Sequence, residues 1–192
     1  MAARHGADAI GLVFYPRSPR AMNRQQARAI VEALPPFVNV VALFVDPEEA
    51  DVRGTLSDLA VDTLQFHGNE SPDFCTQFGL PYLKAIPMAE PGSAEPLMAE
   101  HSRAQGFLLD SHGLGAVGGT GRTFDWRKAP AGDRLILAGG LHAGNVGEAI
   151  RTVRPYAVDV SSGVEAAPGV KDAKKTAAFI QEVNHVQFSE AG

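Results

Sequence analysis

Residues 134–163 read RLILAGGLHAGNVGEAIRTVRPYAVDVSSG. An apolar run from Arg134 to Ala138 stops at Gly139 and Gly140, a stretch of helical period covers Gly144 to Val153, and a second apolar run, Ala157 to Val160, stops at Ser161, Ser162 and Gly163. Strand, helix and strand in that order form a parallel crossover unit, because the helix must carry the chain back to the same end of the sheet. The same alternation extends toward the N-terminus. Strands are expected at Ala9 to Phe14, Val38 to Val45, Thr63 to His67, Tyr82 to Ile86 and Gly106 to Asp110. Helices are expected at about Asn23 to Leu34, Pro47 to Leu59, Ser71 to Phe78, Ala94 to Arg103 and, after the last strand, Asp172 to His185. Asn23 reads as an N-cap, and Pro47 and Pro72 as first helical residues.

Seven strands, one every twenty to thirty residues, give the α/β repeat of a TIM (β/α)8-type barrel with about one unit fewer than eight. A doubly wound open sheet is the competing architecture, and the absence of G-x-G-x-x-G after the first strand argues against it. Met1 to His5 reads as the last turn of a helix closed by Gly6, so the chain is expected to begin inside a unit, with its first βα unit missing. One domain of 192 residues follows, and 45% apolar with 20% charged residues suits a buried core.

Charge and cysteine content narrow the function classes. Lys plus Arg number 17 against 22 Asp plus Glu, a net charge of −5, which disfavours a duplex nucleic acid partner. No eighteen-residue apolar run points to a membrane span, and MAARHGADAIGLVF lacks the plan of a secretory leader. The single cysteine, Cys75, permits no intrachain disulfide and reads as packing on a helix. A cytoplasmic protein acting on a small molecule, as monomer or homodimer, is the expectation.

In a parallel barrel, reactive groups stand where strands end at their C-termini. Those ends are polar: Tyr15 to Arg20, Gln65 to Gly68, Asp110 with Ser111, Gly139 with Gly140, and Asp159 to Glu165. Glycines at Gly139 and Gly140, with hydroxyls at Ser161 and Ser162 and a third glycine at Gly163, suit a phosphate held by backbone N–H groups without lysine. The plainer alternative is that the glycines only make tight turns. Asp110 leaves an apolar strand, where partial desolvation would suit a general acid, although a carboxylate capping a loop is common. The glycine-rich stretch His112 to Thr123 reads as a cover over that site. Arg20 or Arg17 could grip a carboxylate with two hydrogen bonds. His67 reads either as a wall histidine or as a base.

Taken together, GADAIGLVFYPRSPR, LQFHG, FLLDS, GGTGRTFDW, LAGGL and RPYAVDVSSGVEAAPGVKD resemble phosphoribosylanthranilate isomerase, over essentially the whole chain. The resemblance implies a single-domain barrel that performs an Amadori rearrangement in tryptophan biosynthesis, with no cofactor and no metal. It implies Asp110 as general acid, Arg20 as the group binding the anthranilate carboxylate, and Gly140, Ser161, Ser162 and Gly163 as phosphate ligands. Gln65, His67, Gly139 and Asp159 join the substrate-binding set. The family's base is a cysteine in a Lys-Ile-Cys-Gly-like segment on the first barrel strand, and this sequence has none. A chain without that unit is expected to be nearly inactive and poorly stable. Another phosphate-binding barrel, such as an epimerase or the indole-forming subunit of tryptophan synthase, and a catalytically incomplete binding fragment are the alternatives.

Overall fold

In a computed structural model, which describes residues 1–89, 92, 94–111 and 123–186, seven strands lie side by side in chain order, and every pairing is parallel. They are β1 (Ala9–Val13), β2 (Asn39–Phe44), β3 (Thr63–Phe66), β4 (Tyr82–Pro87), β5 (Gly106–Asp110), β6 (Leu135–Leu137) and β7 (Ala157–Val158). Sequential order is that of a barrel and excludes the order reversal of a doubly wound sheet. β1 and β7 are the two outer strands. The glycine-rich stretch His112 to Arg122 lies outside the described residues.

Among the described residues, six α-helices connect or follow the strands: α1 (Arg24–Glu32), α2 (Glu49–Asp58), α3 (Pro72–Thr76), α4 (Ala94–Glu100), α5 (Val146–Val153) and α6 (Ala173–Asn184). The Asn23 side chain caps α1 in a reciprocal box with Gln26, and Ser71 caps α3 with Pro72 in its first turn. Pro47 was expected inside α2 but stands before its N-cap, Glu48, because Asp46 takes a positive φ of 44° and turns the chain ahead of the proline. α3 is one short turn and β7 only two residues, both shorter than expected. After Val158 the ladder continues only through the Asp159 N–H to Leu137 O (2.8 Å), and the chain then turns outward. Met1 to His5 forms a 3-10 turn, Ala2–His5, closed by Gly6 at φ 101°.

The main core lies between sheet and helices. Phe44, Phe66, Tyr82, Ile86, Leu109 and Leu137 from the strands meet Val52, Cys75, Phe78, Ala149 and Phe179 from the helical side. Phe66 is its aromatic centre, with ring neighbours Phe44, Phe74, Phe78 and Tyr82 at centroid distances of 5.9–6.3 Å. Since side chains alternate along a strand, burying Phe66 toward the helices turns Gln65 and His67 to the other face, the barrel interior. No helix among the described residues is long and apolar enough to cross a membrane.

Beyond β7 the chain makes a short antiparallel hairpin, β8 (Glu165–Ala167) with β9 (Val170–Lys171), which the sequence analysis passed over. Pro168 and Gly169 occupy its turn, with Gly169 at φ 80° as a type II turn requires. The hairpin reaches across to the loop after β1. Arg20 donates from Nε and Nη2 to Glu165 Oε1 and Oε2 at 2.8 and 2.7 Å, and Lys171 Nζ adds a contact to Oε1 at 3.2 Å. On the outside, α6 packs on the Ala2–His5 turn. The two outer strands are thereby linked at two levels.

Two expectations follow. Burial works to raise the Glu165 carboxyl, but the hydrogen bonds from Arg20 and the charge of Lys171 outweigh it and hold the carboxyl below its ordinary range. A carboxyl depressed by folding stabilises above its unfolded pKa and loses that contribution as pH falls through the folded one. Glu165→Gln should therefore lower unfolding stability in urea by about 1–3 kcal/mol at pH 7, with the gap to wild type closing in acid. A gap constant down to acid pH would contradict this link. Burial also pushes the Cys75 thiol up to about 12, with Glu70 adding and Lys84 opposing. Cys75 should resist alkylation in the native protein at pH 8 and react on unfolding; mass spectrometry reads the difference.

Candidate active site

The C-terminal ends of the strands surround one cavity. His67, after β3, and Asp110, ending β5, meet in its wall: His67 Nε2 lies 3.0 Å from Asp110 Oδ2. Behind them Gln65 Nε2 lies 3.2 Å from His67 Nδ1. With the Gln65 amide nitrogen against Nδ1, the ring turns Nε2 toward Asp110 Oδ2. Gln65 and His67 reach one another because residues two apart on a strand share a face. Asp110 shares its inward face with Leu108, which also lines the cavity.

Across the cavity stands a rim of small residues. Gly139 and Gly140 both take positive φ, 79° and 67°, turning the chain sharply after β6. Asn145 steadies this turn, donating from Nδ2 to Gly140 O at 3.1 Å and accepting from the His142 N–H at 2.8 Å. Ser161, Ser162, Asp159 and Val160 supply the neighbouring wall. A 3-10 turn, Ser162–Val164, follows immediately.

Asp159 opens to solvent within the mouth but is walled by protein on its other sides. This enclosure raises its carboxyl above the ordinary range; Lys171 and His67 oppose the rise and the like charge of Asp110 adds to it. Arg20 borders the cavity while two of its nitrogens hold Glu165, so its guanidinium plane is fixed by the hairpin. Arg17 is exposed and does not line the cavity.

Eight expected residues line this cavity: Asp110, Arg20, His67, Gly139, Gly140, Asp159, Ser161 and Ser162. Two do not. Gln65 is buried behind His67, with its amide nitrogen against the ring. Gly163 sits against the loop after β6, where a Cβ would land on Leu141 O; close packing of two loops is its structural reason. Lys171 returns on the hairpin close to this rim and donates from Nζ to Ser161 O at 2.9 Å, without lining the cavity itself. Pro168-Gly169 was the sequence signal for that return. Tyr15 and Ser18 line the mouth as well.

The family profile described as N-(5'phosphoribosyl)anthranilate (PRA) isomerase matches residues 1–182. N-(5'-phosphoribosyl)anthranilate isomerase of Acidithiobacillus ferrooxidans is 55% identical over 183 residues, which cover 95% of this chain and 89% of the relative. The fold superposes on phosphoribosyl anthranilate isomerase from Thermotoga maritima with a TM-score of 0.86 at 38% identity, covering 95% of this chain and 91% of the other. A similar isomerase structure, in complex with reduced 1-(o-carboxyphenylamino)-1-deoxyribulose 5-phosphate, gives a TM-score of 0.80 at 35% identity, covering 95% and 90%. Because the profile matches from residue 1, these comparisons do not show the absence of a first βα unit. With its strand order, the polar mouth at the strand ends and these matches in agreement, the chain belongs to the N-(5'-phosphoribosyl)anthranilate isomerase family, and its fold is that of a TIM barrel.

Proposed function

We propose that this chain converts N-(5′-phosphoribosyl)anthranilate into 1-(o-carboxyphenylamino)-1-deoxyribulose 5-phosphate, as a step of cytoplasmic tryptophan biosynthesis that needs neither metal nor cofactor. The observation that carries the reading is one cavity bordered by a hydrogen-bonded aspartic acid, an oriented arginine and a glycine-serine rim. These match the substrate's reacting sugar, carboxylate and phosphate. The bound product analogue of the similar isomerase supports it.

Asp110 delivers a proton to the furanose oxygen as the C1′–O bond breaks and the anthranilate nitrogen forms a C=N bond. The Asp110 carboxylate left behind accepts the hydrogen bond from His67 Nε2, which stabilises the ionised product of the proton transfer. Loss of the C2′ proton then gives an enolamine, which ketonises by taking a proton at C1′. Backbone N–H groups at Gly140, with the hydroxyls of Ser161 and Ser162, hold the phosphate. Gly163 supports that wall by letting Leu141 approach. Arg20 binds the anthranilate carboxylate, with its guanidinium plane set by Glu165. The base at C2′ is not Cys75, whose thiol is buried on α3 and protonated.

Asp110→Asn should lower kcat at least about a hundredfold with little change in KM, followed by the fluorescence loss of phosphoribosylanthranilate. Ser161→Asp, which sets a negative charge against the phosphate, should instead weaken product-analogue binding by at least about tenfold, or 1.4 kcal/mol. Undiminished analogue binding by Ser161→Asp would rule out phosphate at this rim, and equal kcat for Asp110→Asn would remove Asp110 from the acid role.

A further inference from the structure

Lys84 of β4 and Glu70 of the loop after β3 form an ion pair with side chains only 1% and 2% exposed, Nζ to Oε2 2.9 Å. A buried pair of this kind is not explained by stability alone, because well-packed apolar residues of the same volume commonly do as well. What distinguishes it is where the remaining hydrogen bonds go. Lys84 Nζ donates to Gly68 O at 2.5 Å and reaches Phe66 O at 3.5 Å. Glu70 accepts from the Gly68 N–H at 3.0 and 3.1 Å, and from the Asp46 N–H at 2.9 Å. Phe66 and Gly68 are the two neighbours of His67.

Register explains the reach. Phe66 and Lys84 are partners across the β3–β4 ladder, and β3 ends at Phe66. His67 therefore follows the last paired residue, held by its own N–H to Phe44 O at 2.9 Å. The ion pair grips the chain on both sides of it from the helical face of the sheet, where Tyr82 and Ile86 of the same strand face the core. The His67 ring stands on the opposite face, against Asp110.

We propose that Lys84 and Glu70 are positioning residues that hold the main chain around His67, and through it set the imidazole against Asp110 in the geometry proton transfer needs. The proposal rests on the acid role of Asp110 given above. A displacement of about 1 Å at a reacting group can cost on the order of a hundredfold in rate, so a rigid support here has a catalytic effect without touching substrate.

The test uses Lys84→Met and Glu70→Gln in the full chain. Two readouts are taken: the 15N shifts and titration of His67, and kcat, KM and the pH profile of turnover. Either variant should shift the tautomer balance or midpoint of His67, and lower kcat about tenfold to a hundredfold while KM changes less than about threefold. In a His67→Ala background the same substitutions should cost no further kcat, although thermal stability still falls. If a single variant does not fold, Lys84→Met/Glu70→Leu removes both charges together and gives the same readings. Unchanged His67 spectra, or kcat losses that multiply fully with His67→Ala, would overturn the proposal. The spectra report on positioning even where Asp110 is not the acid, so failure of that role is distinguishable: His67 would shift while the turnover pH profile stayed fixed.

Discussion

Arg20 and Glu165 stand 145 residues apart in the chain and share two hydrogen bonds in a nearly dry setting. A parallel sheet in sequential order carries its first and last strands to opposite borders, and both borders belong to the same active-site mouth. Without a cross-connection, the glycine-serine rim and the arginine would stand on surfaces free to part. The bidentate pair makes that connection in a geometry lysine could not reproduce, since a guanidinium presents parallel N–H groups to both carboxylate oxygens. Its negative partner also compensates part of the Arg20 charge at the cavity wall.

The proton-handling side of the mouth depends on alternation along one short strand. Phe66 goes outward into a cluster of aromatic rings, and that commitment fixes Gln65 and His67 inward with no freedom of register. Core packing and catalytic geometry are thus set by the same four-residue strand. Electrostatics then separates the acidic groups: Asp110 is tied to an imidazole, Asp159 is enclosed and raised, and Glu165 is depressed by its cations. Three carboxyls, two lining the cavity and one on the hairpin beyond Arg20, have three different environments.

Elements whose signals are local were legible in the sequence. Six of the seven strands agree to within a residue or so at each end, because apolar runs bounded by glycine, proline or polar turns are read residue by residue. The cavity residues at those strand ends followed from barrel geometry. Partners set by tertiary approach were not legible: nothing in YLKAI marks Lys84 as buried, and nothing near Arg20 points to Glu165. Gly163 illustrates a third case, a glycine whose close approach to Leu141, from a loop more than twenty residues earlier, has no local signal. The hairpin of Glu165–Ala167 with Val170–Lys171 had its signal in Pro168-Gly169 and was passed over amid the stronger helix signal beginning at Asp172.

Strand order also bears on how the chain finds this structure. Each ladder joins strands consecutive in the chain, closing segments of roughly 25 residues, whereas the Arg20–Glu165 link closes one of 145. Ring-closure entropy grows only with the logarithm of length, so the long closure costs roughly 1.5 kcal/mol more than a short one. That difference is small, but it falls on a contact that no neighbouring ladder assists, as does the packing of α6 on the Ala2–His5 turn. Assembly can proceed from any interior crossover outward, with the meeting of the borders as its final and most readily reversed event.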